Sequence, residues 1–235
     1  VAAALLALAI GATDAAVAQE DDDTRWETWP EVDLWVRLNP REQFYFPFAL
    51  SRGREVDYTE ALVGAHYDRR LHRHLSARAG YRYLWAVSER GQEDQYREHR
   101  VVLELTPRLY LPGGVTVLDR NRYDLRFVNG EQSWRYRNRL RAERAVALGG
   151  ERALTPYGMV EVGYDSRFDE FNRVRLQVGG EYQFHQKLWL DVYYVRQWDD
   201  QSSVPRLNAI GAAINFAICG WCSASAPAPA DKQGT

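Results

Sequence analysis

The chain is short of several things that would settle its nature early. Only Lys187 and Lys232 are lysines among its 30 basic residues; all the others are arginine. Its two cysteines, Cys219 and Cys222, both fall near the end, so the body of the chain carries no thiol, which suits passage through an oxidising compartment. With 30 basic against 32 acidic residues the net charge is -2, too small for a global field that would draw nucleic acid or an anionic lipid surface. Mean hydropathy is -0.50 and no apolar run of the length a helical span needs occurs past residue 18. That excludes a membrane helix in the mature chain, but it does not exclude a membrane barrel, whose alternating strands average to a polar hydropathy.

What is present begins with Val-Ala-Ala-Ala-Leu-Leu-Ala-Leu-Ala-Ile, followed by small residues up to Ala16-Val17-Ala18 and the acidic run Gln19-Glu20-Asp21-Asp22-Asp23. An apolar stretch, a small-x-small site and a polar start read as a secretory signal peptide over 1–18, without its basic front and cleaved after Ala18. Residues 19–28 then form a periplasmic lead-in or a short first strand, 29–217 the body, and 218–235 a disordered tail rich in Ala and Pro. At 235 residues a single all-β domain is the simplest organisation.

From Trp29 onward polar and apolar residues alternate with period 2, segment after segment. Phe44, Phe46, Phe48 and Leu50 share one face while Gln43 and Tyr45 take the other, with Pro47 tolerable at an edge or bulge. Ala61, Val63, Ala65 and Tyr67 oppose Glu60, His66 and Asp68; Val101, Leu103 and Leu105 oppose Glu98, Arg100 and Glu104. In 134–142, Arg135, Arg137, Arg139 and Arg141 line one face against Trp134, Tyr136, Leu140 and Ala142. A helix would scatter those arginines around its circumference. The fold class is therefore all-β: an antiparallel up-and-down transmembrane β-barrel of about 10 to 12 strands, apolar toward lipid and charged toward the lumen.

Counting segments gives 11 strands, near 29–39, 42–51, 57–69, 74–87, 97–108, 115–128, 132–146, 154–166, 172–184, 187–198 and 205–217. An even number is expected of a bacterial barrel with both ends at one rim, so 12 is preferred over 10, with Thr24 to Trp29 as an added short strand or one segment misdivided. Short connections alternate with longer polar ones at 86–96, 165–172 and 198–206, the two rims of such a barrel.

Arginine dominates the lumen. Arg120, Arg122 and Arg126 precede the ladder Arg135, Arg137, Arg139 and Arg141, and Arg173 and Arg175 follow. Removing so many charges from water costs several kcal/mol each unless they are paired. The carboxylates on predicted lumen faces are Glu161, Asp165, Glu181, Asp191, Glu98, Glu104, Glu60, Asp68, Glu31 and Asp33. Two readings follow: a salt-bridge network filling a narrow barrel, or a basic strip that binds or guides a small anionic solute.

Other chemistry is thinner. His66 lies on a lumen face with Asp68, Glu60 and Ser76 nearby in sequence, which admits a lipid-modifying or hydrolytic barrel enzyme but matches no nucleophile spacing, so no catalytic residue is assigned. His72, His74 and His185 fall in turns where a divalent metal would have to bridge them, too common a pattern to assign a metal or any cofactor. Cys219 and Cys222 have the C-x-x-C spacing of redox motifs without a helix to activate a thiol, which favours a local disulfide. Trp26, Trp29, Trp35, Trp85, Trp134, Trp189 and Trp198 sit near strand ends, as interfacial girdles do. A soluble calycin-like ligand-binding barrel also alternates, with the opposite facing; exposure at Phe46 and Arg137 separates the two.

Two resemblances add to this. The last segment, with Ile210, Ala212, Ile214 and Phe216 on its apolar side, resembles the aromatic-ended signal by which barrel proteins are recognised for insertion, with Gly211, Ile214 and Phe216 at matching positions. That implies the barrel-assembly machinery as a partner during insertion and outer-membrane lipid thereafter. The stretches 29–33 and 75–83, the pair Asp119-Arg120-Asn121-Arg122 and Arg135-Tyr136-Arg137-Asn138-Arg139, and 193–197 resemble the family catalogued as domain of unknown function 2490 over about residues 29–216. The resemblance implies an outer-membrane barrel whose activity is not established and carries over no catalytic residue; the residues themselves favour a structural barrel or a narrow channel with an Arg/carboxylate-filled lumen.

Overall fold

The computed structural model describes residues 24–53, 58–88, 96–201 and 205–219. They form twelve strands: β1 Thr24–Asn39, β2 Glu42–Gly53, β3 Tyr58–His72, β4 Leu75–Ser88, β5 Arg97–Leu111, β6 Val115–Val128, β7 Glu131–Arg144, β8 Val146–Gly149, β9 Arg152–Asp165, β10 Glu170–His185, β11 Leu188–Asp199 and β12 Arg206–Cys219. No α-helix occurs among the described residues. The expected signal peptide and the residues from 220 lie outside them.

Eleven strands close into one barrel, each paired with its neighbour in sequence, with β8 continuing β7 and pairing only with β9. The preference for twelve is thereby corrected. Thr24 to Trp29 is the beginning of β1 and not a strand of its own, and the segment count made from alternation matches the ring strand for strand. The physical reason lies at the seam. Every hairpin reverses the chain, so an odd ring leaves its first and last strands running the same way, and β1 pairs with β12 in parallel from Thr24↔Arg206 to Arg37↔Cys219. β12 also takes in Ile218 and Cys219, two residues assigned to the tail, and Cys219 is disulfide-bonded; Cys222 lies outside the described residues.

Connections of two or three residues at 40–41, 73–74, 112–114, 150–151 and 186–187 share one rim. The other rim carries 54–57, 89–96, 166–169 and 200–205, together with the tight Asn129-Gly130 turn. That turn joins β6 to β7 in two residues because both adopt positive φ, 49° and 93°, which asparagine and glycine tolerate and which matches the twist of the hairpin.

Facing is the decisive observation. Leu103, Leu105 and Val178 are 53%, 50% and 59% exposed, whereas Glu98, Asp124 and Asp165 are fully buried. Arg137 is buried and Phe46 is on the opposite, outward face. Burying ionic groups while exposing a continuous leucine and valine surface is unfavourable in water and favourable in hydrocarbon. The soluble calycin-like reading, which needs the reverse, is excluded by this geometry.

Close backbone approaches on the lumen side need glycine. A Cβ on Gly211 would stand 2.0 Å from Tyr193 Cζ, and one on Gly80 would stand 2.2 Å from His66 Nδ1, so each ring lies flat on a wall with no side chain.

Candidate functional site

Buried ion pairs crowd one half of the lumen, and a cavity occupies the other. The ion pairs lie toward the long-connection rim. Arg126 donates from Nε to Glu98 at 2.7 Å and from Nη1 to Asp165 at 3.0 Å; Arg135 reaches Asp165 at 2.6 Å; Arg100 reaches Glu98 at 2.7 Å. Asp124 accepts from Arg122 at 2.6 Å and Arg137 at 2.8 Å. Arg173 and Asn172 close the next sector onto Asp199. Val195 and Ala209, both fully buried beside Tyr193 and Trp29, fill the remaining arc.

These contacts follow from register. Arg120 faces Arg139 and Arg122 faces Arg137 directly across β6 and β7, a repulsive arrangement by itself. Neutralisation comes from the strands beyond. β9 sets Glu161 opposite Arg139 and Asp165 opposite Arg135, and β10 brings Arg175 opposite Glu161 from the other side. Glu161 thus lies 3.0 Å from Arg120, 2.8 Å from Arg139, 3.6 Å from Arg137 and 3.9 Å from Arg175. Arg141 pairs with Glu143 at 2.7 Å and Glu181 at 2.5 Å.

Toward the short-connection rim lies a cavity of about 870 Å³, open past Asn39, Arg41, Arg70 and Gln186. Thirteen arginines and eight carboxylates line it, so the lining is cationic. The carboxylates on β1 and β11 do not do what was expected of them. Glu31, Asp33 and Asp191 accept from the hydroxyls of Tyr193 at 2.6 Å, Tyr45 at 3.1 Å and Tyr157 at 3.0 Å, and none pairs with an arginine among the described residues. Their wall is aromatic as well: Trp29, Trp35 and Trp189 line the cavity instead of joining an outer girdle, because they share a strand face with Glu31, Asp33 and Asp191. Trp26 and Trp134, by contrast, meet outward-facing tyrosines, Tyr194 and Tyr123.

Opposite this wall stands an arginine that the sequence reading did not single out. Arg82 makes no ion pair among the described residues; its Nε donates to His66 Nε2 at 3.0 Å. Arg78, next along the same face of β4, is held by Asp68 through two hydrogen bonds of 2.6 and 2.7 Å. Beside them Arg122 is 2% exposed and its Nη2 has no partner. Asp124 was also missed, although it alternates in step with Arg120, Arg122 and Arg126, and that parity would have found it.

His66 is buried, stacked 5.5 Å from Tyr45, and acts as an acceptor for Arg82. Gly80 sits opposite it, while Ser76 sits opposite Arg70, four residues further along β4 and so about 13 Å away at the usual rise. The two are not brought into reach, and the hydrolase constellation does not form. His74 bonds Arg73 and the Arg108 carbonyl, and His185 pairs with Glu151 at 3.0 Å in a different turn, so the turn histidines do not converge.

With the geometry in place, comparison with known proteins is informative. The model of the family described as "Protein of unknown function (DUF2490)" matches residues 26–208. The chain belongs to that family. Among solved structures, the beta domain of the Bordetella autotransporter BrkA aligns over 76% of this chain and 84% of its own, with a TM-score of 0.52 and 15% identity. LpxR from Salmonella typhimurium aligns over 79% of this chain and 87% of its own, with a TM-score of 0.54 and 10% identity. Both are outer-membrane β-barrels, and at such identities the likeness shows the fold alone. No curated protein matches this DUF2490 member.

Proposed function

We propose that this DUF2490 barrel resides in the bacterial outer membrane as a blind, arginine-lined vestibule that holds a small organic anion, and that it is not a through-channel. The observation that carries the reading is Arg82, which has no carboxylate partner among the described residues and lines a cationic cavity that stops at ion pairs whose carboxylates are fully buried. A guanidinium without a carboxylate is a ready donor to a phosphate or carboxylate, and Arg122 Nη2 supplies a second unused donor nearby. The tryptophans facing them offer apolar surface to the rest of such a ligand. Outer-membrane lipid would cover the apolar skin, and the narrow-channel alternative requires the Glu98, Asp124 and Asp165 ion pairs to part.

Tryptophan emission of the refolded barrel tests this, since Trp29, Trp35 and Trp189 line the cavity. Titration with inorganic phosphate and with citrate is expected to shift emission saturably, and Arg82→Gln is expected to weaken binding at least tenfold. The same protein in a planar bilayer is expected to be silent. Absence of saturable binding overturns the vestibule; discrete conductance steps overturn the seal and return the channel reading.

A further inference from the structure

The motif pair Asp119-Arg120-Asn121-Arg122 and Arg135-Tyr136-Arg137-Asn138-Arg139 has a second face. Its arginines point into the lumen, so Asp119, Asn121, Tyr136 and Asn138, which alternate with them, lie on the outer surface of β6 and β7. There they join in one cluster. Asn138 Nδ2 donates to Asp119 Oδ1 at 2.6 Å and to Asn121 Oδ1 at 3.1 Å, the Tyr136 hydroxyl donates to Asn121 Oδ1 at 2.6 Å, and Asn121 Nδ2 donates to the Asp119 carbonyl at 3.2 Å.

The surroundings of this cluster are apolar on the same outer face. Leu105 stands beside Asn121 on β5, Val162 beside Asn138 on β9, and Leu140 opposite Asp119, with Leu105 and Leu140 50% and 47% exposed. A carboxylate and two amides inside a lipid-facing skin are expensive to leave against hydrocarbon, and polar groups so placed mark contacts with other protein. The cluster is also incomplete in a specific way. Among the described residues Asp119 Oδ2 and Asn138 Oδ1 accept nothing, while the Asn121 amide keeps one N–H unused. Spare acceptors and a spare donor side by side are what an isologous contact needs, because a two-fold axis brings the donor of each copy to the acceptors of the other.

We propose that this outer face of β6 and β7 is the contact between two copies of the chain within the membrane, the Asn121 amide of each copy donating to Asp119 or Asn138 of the other. Leu140→Cys places a thiol at the proposed contact, and Ile210→Cys places one on β12, across the barrel; Cys219 does not compete because it is disulfide-bonded. In native membranes a short bismaleimide is expected to link Leu140→Cys into a dimer at least tenfold more than Ile210→Cys. The purified wild type in detergent is expected to scatter light as two chains. Combining Asp119→Leu, Asn121→Leu and Asn138→Leu is expected to give monomers that retain heat-modifiable migration, the sign of a folded barrel. Equal linking at the two positions, a monomeric wild type, a Leu140→Cys adduct with a different protein, or a dimer that survives the triple substitution would each overturn the proposal.

Discussion

Glu161→Gln isolates what the lumen network contributes. The glutamine keeps the size of the side chain and one carbonyl acceptor while removing the negative charge that sits 3.0 Å from Arg120, 2.8 Å from Arg139, 3.6 Å from Arg137 and 3.9 Å from Arg175. Arg137 retains Asp124 and Arg120 retains Glu104 at 3.7 Å, but Arg139 and Arg175 lose the one carboxylate each has among the described residues. At an effective dielectric constant of about 20, one pair at about 4 Å is worth about 4 kcal/mol, and stripping one partner from a buried pair costs about 3–5 kcal/mol. Because the cavity lets water reach Arg139, a loss of about 3 kcal/mol is expected in urea unfolding of the refolded barrel followed by tryptophan emission. The double variant Glu161→Gln with Arg139→Gln is expected to cost less than the single, since it removes one stranded cation. A single variant within about 1 kcal/mol of wild type, or a double variant worse than the single, would refute the view that unneutralised charge sets the energetics of this lumen.

Leu103→Arg, on the outer face, is expected to destabilise the barrel by about 2–4 kcal/mol in lipid vesicles, because it sets a cation against hydrocarbon; a change below about 0.5 kcal/mol would mean that this face sees water. Gly211→Val would drive a side chain into the Tyr193 ring, with an expected cost of about 1–3 kcal/mol and a change in tryptophan emission as Tyr193 leaves Glu31; an unchanged unfolding midpoint counts against the flat packing. Short turns face the periplasm in such barrels, which places Gly113 on the periplasmic rim and Gly130 on the outer one, so in intact cells a membrane-impermeant maleimide is expected to label Gly130→Cys and to spare Gly113→Cys; equal labelling would contradict that orientation.

Alternation carries face and not partner, and this explains what was legible in advance. A period of two requires only that residues i and i+2 share a side, so the arginine ladder, the apolar skin and eleven segments could be read without knowing which strands meet. Pairing depends on register and closure, which are long-range. Hence Glu31, Asp33 and Asp191 were assigned to the lumen and then given arginines as partners, whereas tyrosines reach them first: Tyr193 across the seam, Tyr45 from the adjacent β2 and Tyr157 from β9. The tryptophans failed for a related reason. Nearness to a strand end suggests a girdle, but parity with Glu31 and Asp33 places Trp29 and Trp35 inside, and parity is the stronger constraint because a one-residue slip would send the whole carboxylate face into lipid.

The strand number shows where a rule outran its premise. An even count follows only when both ends of the barrel lie at one rim, and alternation cannot say where the ends lie. Here β1 starts at the long-connection rim and β12 ends at the other, so the count is odd and the seam is parallel. Parallel closure also has a chemical consequence. The β12 face at the seam is small, with Ala209, Gly211 and Ala213 in alternation, and it is against this face that Tyr193 lies flat while its hydroxyl reaches across to Glu31 on β1. The seam therefore builds the aromatic, acidic wall of the cavity, and the antiparallel run through β6, β7, β9 and β10 builds the arginine wall and most of the buried ion pairs beyond it. A twelfth strand inserted between β12 and β1 would separate Tyr193 from Glu31 and open the aromatic wall, so the odd count and the two-sided cavity belong to the same structure.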